Sequence, residues 1–375
     1  GRERREGKRG RERREGERGR RMARDAPSVA SLLEAALPVL AEWLDAKALV
    51  RLLSCCSRLR SLEGVPLDLS GRICRSDWLL AFVGGRGARF ELTSASIILD
   101  SGAAGEPGHF ERVLRLPGLR ELNVRRVAAP SAAVTSIEPL REAKSLTSLE
   151  MGRGCCPAIT DLSPLEECHA LASLSIEGAA LTDITGISRC KPLTHLKLQS
   201  MKSLTDLAPL SAPGSYSPWR LVTLSLRGCA ALHDIEPLSS LANLRSLSLA
   251  LCTGLDPDRG VDPLADCAQL SELTLTGCNQ LRDVAALSRC ANLRVLYLTG
   301  CNSLGSVEAL SRSPKLECLH LNKCAGLVDV SSLGHCSSLR LLNLRCSRAT
   351  IVPHRQGLVV LFDTVSRSPI SAALP

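Results

Sequence analysis

The sequence predicts an α/β solenoid, with a parallel sheet on one face, short 3₁₀ or α turns on the other, and a helical cap at the N-terminal end. Three observations predict it. The frame L-x-x-L-x-[L/I/V/M] recurs ten times from residue 119 onward, with start-to-start spacings of 22 to 28 residues. A second segment of the type "LTDLAPL" follows nearly every frame at a similar offset. Aromatic residues are only 2% of the chain against 45% hydrophobic residues, so the core must be built from Leu, Ile, Val, Ala and Cys.

Each frame, such as "LRELNV" at 119, "LASLSI" at 171 or "LRVLYL" at 293, alternates apolar and other residues, which is the pattern of a short strand with one buried face. The second segment carries Asp or Ser at its third position: Ser136, Asp161, Asp183, Asp206, Asp234, Asp283, Ser306 and Asp329. A side-chain oxygen there is expected to N-cap a helical turn, and Pro three residues later is tolerated because the first turn needs no donor. Only about eight residues then remain before the next strand, which suits a 3₁₀ or single α turn. One unit cannot bury its leucines alone, whereas stacked units bury them against each other. Ten strands predict a sheet roughly 45–50 Å long.

Extended to L-x-x-L-x-L-x-x-C-x-x-L-x-D-[VI]-x-x-L, the frame resembles the leucine-rich repeat family, and is most similar to internalin-like and protozoan members with 22–23-residue repeats. The resemblance covers residues 119–346. It departs where the family's usual Asn at the ninth position is mostly Cys, and where "TGLDPDRGVDPL" at 253–264 breaks the rhythm. It implies a horseshoe or arc that binds protein on its concave face, without naming one partner.

The seventeen cysteines follow the repeat. Position nine is Cys229, Cys252, Cys278, Cys301 and Cys324, and a second set, Cys168, Cys190, Cys267, Cys290 and Cys336, ends the helical halves. Each set forms a ladder that the resemblance points inward, where a thiol acts as a small hydrophobe with a weak S–H donor. Zinc needs four converging ligands, usually with C-x₂₋₄-C spacing, and the only close pairs are the adjacent Cys55–Cys56 and Cys155–Cys156. Disulfides between rungs are disfavoured by parallel side-chain vectors. The repeated aspartates suggest calcium, but capping explains them more simply. No metal or cofactor is expected.

The net charge of +9 is uneven, since residues 1–21 hold ten Arg, one Lys and five Glu. The rest of the chain is close to neutral, so a basic pI does not indicate nucleic-acid binding. "RERREGKRG" is repeated almost unchanged as "RERREGERG". This low-complexity tail is expected to be disordered, either as an incidental purine-rich coding tract or as an arginine-rich arm with at most weak affinity for RNA. No apolar run is long enough for a transmembrane helix and no secretory leader is evident, which with odd-numbered cysteine predicts an intracellular, cytoplasmic protein with free thiols and no membrane contact.

Side chains at strand positions three, five and seven are expected to face the concave side. The candidate protein-binding residues are Glu150, Lys197, Arg227, Tyr297, His320, Asn322, Asn343 and Arg345. The richest patch is C-terminal, around Tyr297 and Arg345, because aromatic and Arg side chains anchor interfaces. The alternative is an ordinary solvated sheet face. In the insertion "SAPGSYSPWR" at 211–220, Tyr216 and Trp219 offer either an exposed aromatic anchor or, for Trp219, a cover over the turns.

Residues 28–62 have helical periodicity, with Leu32, Leu33, Leu37, Leu40 and Leu44 on one face, and Asp45 able to cap a second helix. "LAEWLDAKALVRLLSCCSRLRSL" resembles an F-box, the helical motif that docks the adaptor of ubiquitin ligases, over Leu40, Leu44, Asp45, Leu49, Cys56 and Leu59. The motif's usual early Leu-Pro is displaced, since the aligned pair here is Leu32-Leu33. The resemblance implies adaptor docking through Leu40, Leu44, Leu49 and Leu52, whereas a solenoid also needs its open end covered whatever its function. Residues 63–118 read as a degenerate, strand-containing region and 347–375 as a C-terminal cap and tail. The seven His are scattered, and no phosphate loop or nucleophile motif appears, so no enzyme is expected.

Overall fold

A computed structural model of the chain describes residues 63–75, 89–99, 109–114, 118–127, 134–211, 219–362 and 370–371. The tail at 1–21 and the helical segment at 28–62, with Leu40, Leu44, Leu49 and Leu52, lie outside the described residues, as does Tyr216.

Strands form at all ten frames and at five places outside them. They are β1 (Glu63–Arg75), β2 (Arg89–Leu99), β3 (Glu121–Val127), β4 (Ser148–Met151), β5 (Ser173–Glu177), β6 (His195–Gln199) and β7 (Thr223–Ser225). They continue with β8 (Ser246–Ser248), β9 (Glu272–Thr274), β10 (Val295–Tyr297), β11 (Cys318–His320), β12 (Leu341–Asn343), β13 (Ile351–Val352), β14 (Val359–Leu361) and β15 (Ile370–Ser371). β1 to β12, followed by β14, make one 13-stranded sheet in chain order. Every neighbouring pair is parallel, and from β3 to β12 the frames pair in register, so that Leu273, Leu296 and Leu319 stand in line. β1, β2 and β14 lengthen the sheet beyond the ten frames, to roughly 58 Å at ordinary strand spacing. β13 and β15 pair separately.

The core is the inside of the stack. Position four runs from Leu122 through Leu174, Leu224 and Leu296 to Leu342, each at most 1% exposed, and position one runs equally buried from Leu146 to Leu339. Burying a leucine side chain contributes about 1.5–3 kcal/mol, so the repeat of leucines is the main source of stability. A 3₁₀ turn closes each later rung, for example Ser163–Glu167, Glu236–Ser240 and Ala285–Arg289, each placing one leucine (Leu165, Leu238, Leu287) inside. One short α-helix, α1 (His109–Leu114), takes this role ahead of β3 and buries Phe110, Val113 and Leu114.

The capping expectation needs a correction of one residue. The repeated carboxylates are not at the N-cap, which is occupied by Leu162, Ile184 or Ile235 without a side-chain hydrogen bond. Each Asp lies one position earlier and accepts the backbone N–H two residues on: Ser163 to Asp161 at 2.8 Å, Thr185 to Asp183 at 2.9 Å and Ser331 to Asp329 at 2.8 Å. The physical role is the predicted one, satisfying a free donor at the start of a turn, but it is delivered as an Asx turn.

β14 continues the sheet beyond β12, but the turn carbonyls before β12 are met by a side chain instead of a further cysteine rung. The Arg355 guanidinium fills that place, donating from Nη1 to the Cys336 carbonyl and from Nη2 to that of Leu339.

Candidate functional site

The frame leaves one surface free of packing duty. In β8 to β12 the burial alternates, with the middle residue of each strand buried and its neighbours part-exposed or exposed. Positions three and five therefore stand on the open face of the sheet, with position seven continuing it.

Glu150 is exposed and accepts a short hydrogen bond from Asn123 Nδ2 one strand back. Lys197 and Arg227 are also exposed. Between them and β10 the face is flat: Ser225 is 8% exposed and Ala250 1%, so neither projects far enough to be gripped. The C-terminal candidates come together. Tyr297 and His320 stack with ring centroids 4.6 Å apart and planes 19° from parallel. Asn343 Nδ2 lies 3.4 Å from His320 Nδ1, and Thr299 Oγ1 donates to Asn322 Oδ1 at 2.8 Å. Burial lowers the pKa of His320, which favours the neutral ring that stacks on Tyr297. Arg345 is exposed at the edge of this group.

Position three was absent from the sequence candidates and carries the clearest signal. In β10, β11, β12 and β14 it is Val295, Cys318, Leu341 and Val359, aligned by the strand register, with Val359 55% exposed. At the earlier strands β5 to β9 the same column is Ser173, His195, Thr223, Ser246 and Glu272. The third letters of "LRVLYL", "LECLHL" and "LRLLNL" carried this switch to apolar residues.

Trp219 is not an exposed anchor. It is 4% exposed, and its indole Nε1–H donates to the Pro209 carbonyl at 3.2 Å, so it serves as cover over the turns.

The cysteines form two ladders of S–H donors. Cys252 donates to the Leu226 carbonyl at 3.1 Å, Cys278 to Leu249 at 3.1 Å, Cys301 to Leu275 at 3.3 Å and Cys324 to Leu298 at 3.0 Å. In the second ladder Cys168 reaches Leu140 at 3.3 Å, Cys190 Leu165 at 3.4 Å, Cys267 Leu238 at 3.3 Å and Cys290 Leu264 at 3.2 Å. Each thiol thus ties one rung to the carbonyl of the rung before it. Burial pushes the Cys278 and Cys290 thiols up to about 11 and those of Cys252 and Cys267 to about 12, so they stay protonated and unreactive at neutral pH. Among the described residues no three His, Cys, Asp or Glu side chains are grouped to hold a metal ion. Also among them, no helix is long and apolar enough to cross a membrane.

No protein-family model matches the chain, and no curated protein matches it in sequence. Solved structures do. An internalin (inlF) of Listeria monocytogenes superposes with a TM-score of 0.51 at 21% identity, over 73% of this chain and 87% of its own. Internalin C2 of the same organism gives a TM-score of 0.43 at 22% identity, over 54% of this chain and 84% of its own, too low to add to the argument. With the in-register parallel sheet, the 3₁₀ turns and the leucine columns already described, the likeness to the first of these shows the fold of the described repeats to be that of a leucine-rich-repeat solenoid.

Proposed function

We propose that the chain is a non-catalytic scaffold that binds a protein partner across the open face of its solenoid. The observation that carries this reading is the division of labour within each frame. Positions one, four and six are spent on the core, while among the described residues three, five and seven are exposed or part-exposed on the open face except at Ser225 and Ala250. A solenoid offers such a surface in extended form, which suits a macromolecular partner better than a small ligand. Affinity capture with the full chain, followed by mass spectrometry, tests it. A specific partner should be lost from a Lys197→Glu, Arg227→Glu, Arg345→Glu triple variant that melts normally. Retention of every captured partner by that variant removes the reading.

A second reading rests on the F-box-like phrase at 40–62. Here the chain is the substrate-recognition subunit of a ubiquitin ligase, with Leu40, Leu44, Leu49 and Leu52 docking the adaptor and the solenoid holding the substrate. Pulldown with purified adaptor decides it, since docking that survives Leu44→Asp, or no docking at all, sinks the proposal. Both readings place the protein in a reducing compartment such as the cytoplasm, supported by the ladder thiols, which are buried, hold rung-to-rung hydrogen bonds and are free rather than paired. The arginine-rich tail is assigned no more than weak RNA affinity, which a chain starting at Met22 should lack entirely.

A further inference from the structure

The C-terminal end of the open face differs from the rest in both shape and charge. Val295, Cys318, Leu341 and Val359 form an apolar line across four strands, and the stacked Tyr297 and His320 rings extend it sideways. This line is bordered by cations on both flanks. Arg340 stands at position two on one side, and Lys323 and Arg345 stand on the other, all three exposed. Lys323 N–H donates to the Arg345 carbonyl at 2.9 Å, which sets their side chains on adjacent rungs of the same flank. None of the three has an ion-pair partner among the described residues, whereas the nearby Glu317 is already held by Arg294. Lys323 also occupies a left-handed backbone position, φ 62°, where Gly277 and Gly300 stand in the two preceding rungs. Ser200, Leu251 and Cys346 hold the same left-handed position in other rungs, and Lys323 brings a charge to it.

We infer that this end of the face, on strands β10, β11, β12 and β14, takes an extended acidic segment of a partner protein, one that alternates Asp or Glu with large apolar side chains. The inference rests on the scaffold reading above and names the class of its ligand. The apolar side chains cover the valine–leucine line and the Tyr297–His320 stack, and the carboxylates meet Arg340 on one flank and Lys323 and Arg345 on the other. The chain's own tail does not fit, because residues 1–21 hold eleven cations against five carboxylates and would meet like charge.

The test is selection of a random dodecapeptide display library on the full chain, followed by fluorescence anisotropy with the synthetic winners. Enriched peptides should combine carboxylates with Leu, Ile, Phe or Trp. Their affinity should fall about tenfold or more in Leu341→Asp, several-fold in Lys323→Glu, and with added salt. Leu341→Ser, a milder change at the same place, should weaken binding in the same direction if the aspartate variant melts early. Several results overturn the inference: no enrichment, basic or wholly polar winners, affinity unchanged in both Leu341 variants, or displacement of the winner by single-stranded RNA of similar length. A dimer in sedimentation that dissociates on Leu341→Asp also overturns it, since a second copy would then cover the line. A natural partner that is lost on Lys197→Glu with Arg227→Glu but binds Leu341→Asp normally overturns it while leaving the scaffold reading intact. A partner indifferent to both sets of substitutions removes the two together.

Discussion

The strands β5 to β9 and the strands β10 to β14 have the same interior and different exteriors. Inside, Leu174 and Leu296 are both fully buried at position four of their frames, and the cysteine ladders run through both halves. Outside, positions three and five read Ser173 and Ser175, Thr223 and Ser225, Ser246 and Ser248 in the first half, then Val295 and Tyr297, Leu341 and Asn343, Val359 and Leu361 in the second. The fold constrains the first set of positions and ignores the second. In a repeat protein, therefore, function is sought where an unconstrained column changes character, and here that happens between β9 and β10.

If the interiors are equivalent, Leu174→Ala and Leu296→Ala should destabilise by similar amounts, about 2–5 kcal/mol each. Urea unfolding followed by circular dichroism reads this. A large loss in one half with a small one in the other would break the comparison and mean that the two halves unfold as separate units.

The next contrast is between two glycines. A Cβ on Gly186 would lie 2.0 Å from the backbone carbon of Leu162, because the rung that starts at Leu171 is the shortest and brings its turn hard against the one before. Gly186→Ala should cost about 1–3 kcal/mol as backbone is forced apart. Gly305, in the second half, has nothing within 4 Å of a Cβ and no left-handed backbone. Gly305→Ala should be neutral or stabilise by up to ~1 kcal/mol through the unfolded chain. Thermal melts of the two variants, compared with the parent, distinguish a tight rung from a loose one.

The interior was legible in the sequence because each leucine, cysteine and aspartate is repeated, so one rung checks the next. What was illegible had no such check. Whether Trp219 faced solvent or the turns depended on one insertion with no counterpart elsewhere. The offset of Asp161 from the N-cap was a matter of turn phase, which spacing alone does not determine to one residue. β1 and β2 lack the leucine frame and were marked only by alternation. The position-three column was readable in principle, but its meaning appeared only once the register set Val295, Cys318, Leu341 and Val359 side by side.

The second cysteine ladder is interrupted where turns end at Ser211, Leu241 and Ser313, and mending the last of these sharpens the claim that the thiols are structural. Ser313 stands where Cys290 stands one rung earlier, is 2% exposed, and its hydroxyl has no hydrogen-bond partner. The shorter C–O bond leaves the oxygen out of reach of the turn carbonyl that a thiol would meet. Ser313→Cys should stabilise by about 1 kcal/mol, by removing a buried unsatisfied hydroxyl and adding a weak S–H donor. Equal or lower stability in thermal melts would show that the ladder spacing is not what these thiols provide.

The smallest expected effect is in mild acid, and it belongs to the C-terminal half. Burial lowers the folded-state pKa of His320 below its unfolded value of about 6.5, so the unfolded chain binds the proton more readily. Its contribution to stability is complete above the ordinary histidine value and is lost as pH falls through the lower folded-state value. Asp161 and Asp329 follow the same sign in the carboxylate range. Their side chains are held below the usual values by hydrogen bonds, for Asp161 first from the Ser163 side chain and for Asp329 first from the Ser331 backbone N–H. Both ends of the solenoid should therefore weaken together in strong acid, but only the Tyr297–His320 end should loosen in mild acid. Hydrogen exchange resolved along the chain reads the difference. Protonation puts a charge on a ring that is partly withdrawn from water and fills the Nδ1 lone pair that Asn343 Nδ2 approaches, so amides of β10 to β12 should lose protection first. Uniform loss across β5 to β12 in mild acid would mean that the stacked pair is exposed in solution and that the two exteriors differ less than their residues imply.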